Sequence, residues 1–271
     1  MWIGTPGNMR QIKDGAASYD RSPQHSVTEF RSLAGGVTTW RAPLAPRRFK
    51  LAWDYMQRED FDHIDRLARG VDGARTLSLV DPLSSNILGA AQGAGLGAAN
   101  KWVPDSGVEL FGGQFGEHTA NEVSVDAAGK RLMWSHPVWP GYPVTVGMTL
   151  SWWTPGLVTA GASLSELRLA WYDAAGTHVL NTTFGITGGP MTVPVTTTTA
   201  VAYVRPGVTF GGAGLWRLGE SVFSVGTYPA GSPPLGQGTM PVVVTQYTHA
   251  GSAGDGRYRN ISLELVEVTN A

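Results

Sequence analysis

Large apolar residues alternate with polar or small ones along Phe49-Lys50-Leu51-Ala52-Trp53-Asp54-Tyr55, the period of a strand with one buried face. The pattern then changes. From Arg58 to Arg69 the apolar positions Phe61, Ile64, Leu67 and Ala68 fall on one helical stripe, with Glu59, Asp60 and Asp62 at the start and Gly70 at the stop. That arrangement suits the helix dipole and a short amphipathic helix. Thr76–Val80 reads as another strand, ended by Asp81-Pro82. Beyond residue 100 the pattern is strand and turn throughout. The candidates are Leu132–Trp134, Val144–Trp153, Glu166–Tyr172, His178–Phe184, Ala200–Arg205 and Leu215–Leu218, with Asp173-Ala174-Ala175-Gly176 as a hairpin turn. Pro241–Tyr247 and Tyr258–Leu265 close the chain, and Ile261, Leu263 and Leu265 share a face. Short strands at this spacing predict a mainly β protein containing a sandwich or jelly roll.

Composition agrees. Of 271 residues, 36 are Gly, 17 Pro and ten Trp, while only 15 % are charged. Charge also divides the chain. Residues 1–88 hold 22 of the 41 charges, whereas residues 89–231 hold 14 in a much longer stretch. Gly89–Ala99 reads as a flexible linker and Pro229–Pro234 as a second one. The final strand needs partners, and the simplest source is the sheet begun by the first segment. The expected organisation is therefore one domain from residues 1–88 plus 235–271, interrupted by a β-sandwich over 89–234.

Three segments resemble the siphophage distal tail and minor tail proteins. They are Arg47–Trp53 with the helix after it, Thr76–Asn86 with its Asp-Pro, and the closing strand Tyr258–Val268. The resemblance covers 1–88 and about 235–271. It implies a β-rich domain assembling as a hexameric ring between tail tube and tail tip, with tube and tip or hub proteins as partners. The middle resembles jelly-roll carbohydrate-binding modules, through Val138–Val146, through Trp171-Tyr172-Asp173 with Gly176, and through Ala200–Pro206. That second resemblance implies host-surface polysaccharide as a partner. It allows one structural calcium ion, for which the sequence assigns no ligands; no other cofactor is expected.

Candidate chemistry is sparse. Cysteine is absent, which excludes disulfides and thiolate metal sites. The six histidines are scattered, without a helical i, i+4 pair. Gly93-x-Gly95-x-Gly97-Ala98 matches the text of a dinucleotide loop but lacks the strand before it and the helix after it. Among the acids of the middle segment, Glu109, Glu117, Glu122, Asp126, Glu166, Asp173 and Glu220 form no recognisable glycosidase pair. Glu59, Asp60, Asp62 and Asp65 read as the solvated face of the helix, with Asp62 and Arg66 paired at i, i+4. Arg41, Arg47 and Arg48 are expected at protein contacts. No catalytic residue is assigned, and the chain is expected not to be an enzyme.

The aromatics matter more. A sugar offers a C–H face that stacks on Trp or Tyr and hydroxyls that need polar partners. Trp139 and Tyr142 flank a Pro-Gly turn. Trp152 and Trp153 must point to opposite faces of one strand. Trp139, Tyr142 and Trp153 are the glycan-binding candidates. A net charge of −1 gives no reason for specific nucleic-acid binding, and no apolar run is long enough for membrane insertion. Met1–Asp20 has no signal-peptide core, so the expected site of assembly is the host cytoplasm and the expected destination the virion. Two functions stay open: a ring-forming tail component whose sandwich binds glycans, or a free-standing carbohydrate-binding adhesin.

Overall fold

The computed structural model describes residues 1–24, 27–41, 45–73, 76–83, 86–115, 118–158, 164–186, 189–196, 200–227, 236, 238–251 and 258–268. It divides into two compact units. The first comprises Met1–Gly4, Arg10–Leu79 and Met240–Ala271, and the second Thr5–Met9 and Val80–Thr239.

In chain order the first strands are β1 (Trp2–Thr5), β2 (Asn8–Gln11), β3 (Ser18–Pro23), β4 (Val27–Arg31), β5 (Val37–Arg41) and β6 (Arg47–Gln57). Helix α1 (Arg58–Ala68) and β7 (Leu77–Val80) follow. The middle of the chain supplies α2 (Ala90–Gly93), β8 (Trp102–Pro104), β9 (Val108–Phe115), β10 (His118–Val125), β11 (Arg131–Trp134), β12 (Tyr142–Pro143) and β13 (Thr149–Trp153). After α3 (Pro155–Val158) come β14 (Leu164–Tyr172), β15 (His178–Gly185), β16 (Met191–Pro194), β17 (Tyr203–Phe210), β18 (Gly214–Arg217) and β19 (Val222–Val225). The last two strands are β20 (Met240–Gly251) and β21 (Tyr258–Glu267).

The first unit is built on a seven-stranded sheet of order β2-β1-β7-β20-β21-β6-β3. β21 lies antiparallel between β20 and β6. The alternation in β6 buries Phe49, Leu51 and Trp53, and then shifts parity to bury Met56. A register shift opposite Arg259/Ile261 accounts for the change, because a bulge inserts one extra residue. Tyr55 takes a left-handed backbone there, with φ 62°, and its N–H donates to Asn260 Oδ1 at 3.1 Å. Ile64 and Leu67 of α1 pack into the same core as Phe49, Leu51, Trp53, Ile261, Leu263 and Leu265.

Two charge expectations need correction. Asp60 is not on a solvated face. It is buried, accepting Arg10 Nε at 3.0 Å and the backbone N–H of Lys13 at 3.1 Å. The helical pairs are Arg58–Asp62 and Asp65–Arg69, while Arg66 reaches Asp72 in place of Asp62. The sequence missed Asp60 because its partners, Arg10 of β2 and Lys13 just after it, are distant in the chain. Arg47 and Arg48 are likewise engaged by their own chain. Glu267 accepts Arg47 Nη2 at 2.8 Å and Nε at 2.9 Å as a bidentate pair, and Glu264 lies 3.9 Å from Arg48 and 3.3 Å from Lys50. The side chain of Arg41 lies outside the described residues.

The second unit holds a six-stranded sheet, β15-β14-β17-β11-β8 with β12 also on β17, and three-stranded sheets β16-β13-β19 and β18-β10-β9. The first two face each other. Trp152 of β13 donates its indole N–H to the Gly207 carbonyl of β17 at 2.9 Å, and its ring meets the edge of Trp134 of β11 at 4.9 Å. The fold is mainly β, with a sandwich as expected. Gly89–Ala99 is not a flexible linker. It contains α2 and packs closely: at Gly95, φ 73°, a Cβ would stand 2.5 Å from the Leu218 backbone. Small residues here permit close approach. The second expected linker, Pro229–Pro234, lies outside the described residues. No helix among the described residues is long and apolar enough to cross a membrane.

Replacing Asp60 with Ala should leave the Lys13 N–H without its acceptor and Arg10 without its inner partner. The expected loss is about 2–3 kcal/mol, because a buried donor is left unsatisfied. Urea unfolding of the full chain measures it.

Candidate functional site: a polar groove on the six-stranded sheet

β14 alternates strictly. Leu167, Leu169 and Trp171 are buried apolar positions, which sends Arg168, Ala170 and Tyr172 to the opposite face. The register extends this face across the sheet. Arg168 stands opposite Thr183 on β15 and Gly207 on β17, Ala170 opposite Asn181 and Arg205, and Tyr172 opposite His178 and Tyr203. On β11, Met133 faces Gly207 and Val103 of β8, while Arg131 faces Thr209. These strands enclose a groove of about 230 Å³, with Asp105, Arg131, Arg168, Tyr172, His178, Asn181 and Arg205 among its walls.

Two small residues make the groove possible. Gly207 leaves room for the Met133 side chain, which lines the groove; a Cβ there would lie 2.2 Å from Met133 Sδ. Ala170 leaves a gap in the next row. The hairpin turn predicted at Asp173–Gly176 supplies one end. Asp173 Oδ1 accepts the N–H groups of Ala175 and Thr177, and Gly176 has φ 79°. This turn brings Tyr172 and His178 together at 5.6 Å between ring centroids. The Arg205 guanidinium lies over the Tyr172 ring at 4.8 Å and donates from Nε to the Pro140 carbonyl.

Electrostatically the groove is unbalanced. Arg131 donates to Asp105, the one carboxylate among the described lining residues, at 2.6 Å, which holds the Arg131 pKa above its ordinary value. Arg168 is shifted the other way, by burial first and by the neighbouring Arg131 next.

The expected glycan residues do not converge here. None of Trp139, Tyr142 and Trp153 lines the groove. Tyr142 is a correction. It is 1 % exposed, and its hydroxyl donates to Gln92 Oε1 at 2.5 Å, so neither ring face can receive a sugar. The Pro-Gly turn that suggested display lets the chain dip its next residue into the core. A Cβ on Gly141 would meet the Val204 carbonyl at 2.8 Å. Trp139 is half-buried, stacked on His136 at 4.9 Å. Trp153 is half-buried on β13, and Trp152 beside it is fully buried, as opposite faces require. The groove's basic residues were missed, although three of the six Lys and Arg in 89–231 line it. Among the described residues no group of three His, Asp or Glu could hold a metal ion.

His136 fastens the loop that carries Trp139. Its Nδ1 lies 3.1 Å from the N–H groups of both Val138 and Trp139 and must accept from them. Its Nε2 therefore carries the proton and donates to the Thr239 carbonyl at 3.1 Å. Burial pushes its pKa from 6.5 down to about 4. The unfolded chain then binds a proton below pH 6.5 that the folded chain refuses until about pH 4. Stability from this group is full above 6.5, falls through that window by about 3 kcal/mol, and levels off below it. His63, shifted down by burial, acts in the same direction. Urea unfolding between pH 7 and 4, with the His136 ring proton followed by NMR, is expected to show this; a midpoint near 6.5 for His136 would contradict it.

No family model matches the chain, and no curated protein matches it. Among solved structures, a similar chain comes from work described as "Structural basis for the promiscuous specificity of the carbohydrate-binding modules from the beta-sandwich super family". The match covers 81 % of this chain and 90 % of that one, at 10 % identity and a TM-score of 0.31. At that score the likeness carries no functional argument.

Proposed function

We propose that the chain is a non-enzymatic structural subunit of a bacteriophage tail, assembling with copies of itself through its first unit and binding saccharide through its second. The observation that carries the assembly reading is the hairpin β4–β5. Among the described residues these strands pair only with each other. Phe30 and Trp40 are 59 % and 54 % exposed, and Val27 and Val37 are exposed beside them. The register puts Phe30 and Trp40 on one face with Thr28 and Thr38. A lone two-stranded hairpin is marginal in water, and large apolar residues on one mark a surface used in association. Edge strands β2 and β3, each with one neighbour in the sheet, offer further backbone groups for pairing between copies. The tail assignment and the hexameric ring rest on the resemblance of 1–88 and 235–271 to distal and minor tail proteins.

The saccharide reading rests on the groove. It combines an aromatic ring, Tyr172, with polar groups of both hydrogen-bonding senses in one open depression. Binding is favoured over cleavage because Asp105, already engaged by Arg131, is the only carboxylate among the described lining residues, whereas glycoside hydrolysis needs two about 5–9.5 Å apart. A free-standing adhesin would have the same groove without self-assembly.

Light scattering and electron microscopy of the purified chain should show a closed ring, six-fold by this reading. The double substitution Phe30→Asp and Trp40→Asp should shift the population to monomer at least tenfold while the melting temperature stays within a few degrees. A monomer at all accessible concentrations would leave the adhesin reading standing and remove the ring.

A further inference from the structure

Three guanidinium groups enter the groove, and two are accounted for. Arg131 is paired with Asp105, and Arg205 is fixed by the Pro140 carbonyl and the Tyr172 ring. Arg168 is different. It is 7 % exposed, its Nε has no hydrogen-bond partner, and no described residue forms an ion pair with it. Its neighbours along and across the sheet explain why. Thr183 and Gly207 stand beside it, and neither carries charge. Glu166, two residues back on β14, is turned towards Thr209, whose Oγ1 lies 3.5 Å from Glu166 Oε2. Asp105 is held by Arg131 at 2.6 Å.

A guanidinium withdrawn from water without a counter-charge is unfavourable, and a fold keeps one where something else supplies the charge. A purely structural arginine would be expected to cap carbonyls or bridge an acid, and Arg168 does neither among the described residues. With Arg131 and Arg205 it makes a cationic wall open to solvent on the groove side. We infer that the groove binds an oxyanion carried on a saccharide, with Arg168 as the residue that pairs with it. The inference rests on the saccharide reading above and narrows it to acidic glycans. The planar fork of arginine fits two oxygens of one group, as a uronic-acid carboxylate or a bridging phosphate offers. Arg131 and Arg205 add field from either side, and His178 and Asn181 remain for hydroxyls.

Calorimetric titration of the full chain tests this with three probes: oligogalacturonate, its methyl ester, and poly(glycerol phosphate). Oligogalacturonate should bind at least tenfold more tightly than its ester, and more weakly as salt rises from about 50 to 500 mM. Binding of poly(glycerol phosphate) in preference to both would equally support an oxyanion and would identify phosphate as its source. Arg168→Met should remove the preference for the acidic probe with an unchanged or raised melting temperature, because an unpaired buried charge is gone; Arg168→Lys should restore part of it. Equal affinity for acid and ester would overturn the oxyanion inference and leave the saccharide reading intact. Absence of binding to all three, together with absence of binding to a neutral glycan panel, would overturn both. A lowered melting temperature in Arg168→Met with affinities unaltered would make Arg168 structural and overturn the inference alone.

Discussion

The first unit depends on a single backbone requirement: every N–H and C=O in a buried strand must find a partner. β21 meets that requirement for two neighbours at once, lying between β20 and β6. Without it, β6 would have only the short β3, and the apolar faces of Phe49, Leu51 and Trp53 would lose Ile261, Leu263 and Leu265. The same strand carries the acids that hold Arg47 and Lys50, and the asparagine that supports the bulge at Tyr55. Because its partner β6 lies some two hundred residues earlier, this sheet closes only when β21 is available. Pairings of that separation are slow, since loop entropy is lost before contacts form.

The second unit manages a different difficulty, polar groups inside a protein rich in aromatic residues. Gln92 receives the Tyr142 hydroxyl and donates to the carbonyls of Lys101 and Ser135. His136 uses both ring nitrogens. Asn86 accepts the N–H groups of Leu88 and Phe223 and donates to Ser221. Each network ties segments far apart in the chain, so that correct packing and satisfied hydrogen bonds are reached together. Six buried side-chain atoms among the described residues of this unit depart from that pattern, and Arg168 Nε is the one that belongs to a charged group.

Much of the architecture was legible because strands write themselves as alternation. β6, β14 and β21 follow stretches where apolar residues recur at every second position, and α1 follows its helical stripe. Strands β9 and β10 escaped because Gly112, Gly113, Glu122 and Ser124 interrupt any apolar rhythm. The supposed linker misled for a related reason: glycine and alanine signify freedom in open chain but close contact in a packed one. Of the binding candidates, Tyr142 failed on direction. Sequence shows that Tyr142 neighbours a turn but not that the turn points inward. Alternation does carry the signal for the groove, since Arg168 sits between Leu167 and Leu169, out of phase with the core and in phase with Tyr172. What sequence could not supply is the register that sets Arg205, Asn181 and Arg131 beside it.

Leu79 and Met240 face each other as cross-strand partners, and in the second unit the Thr239 N–H donates to the Ile87 carbonyl and the Gly238 N–H to the Leu88 carbonyl. The chain thus departs and comes back through adjacent rungs, over one hundred and fifty residues apart in sequence. Such a junction works like a socket. Whatever lies between the two rungs is framed by two neighbouring chain ends. The sheet that β21 completes therefore sets no length for the segment between those ends.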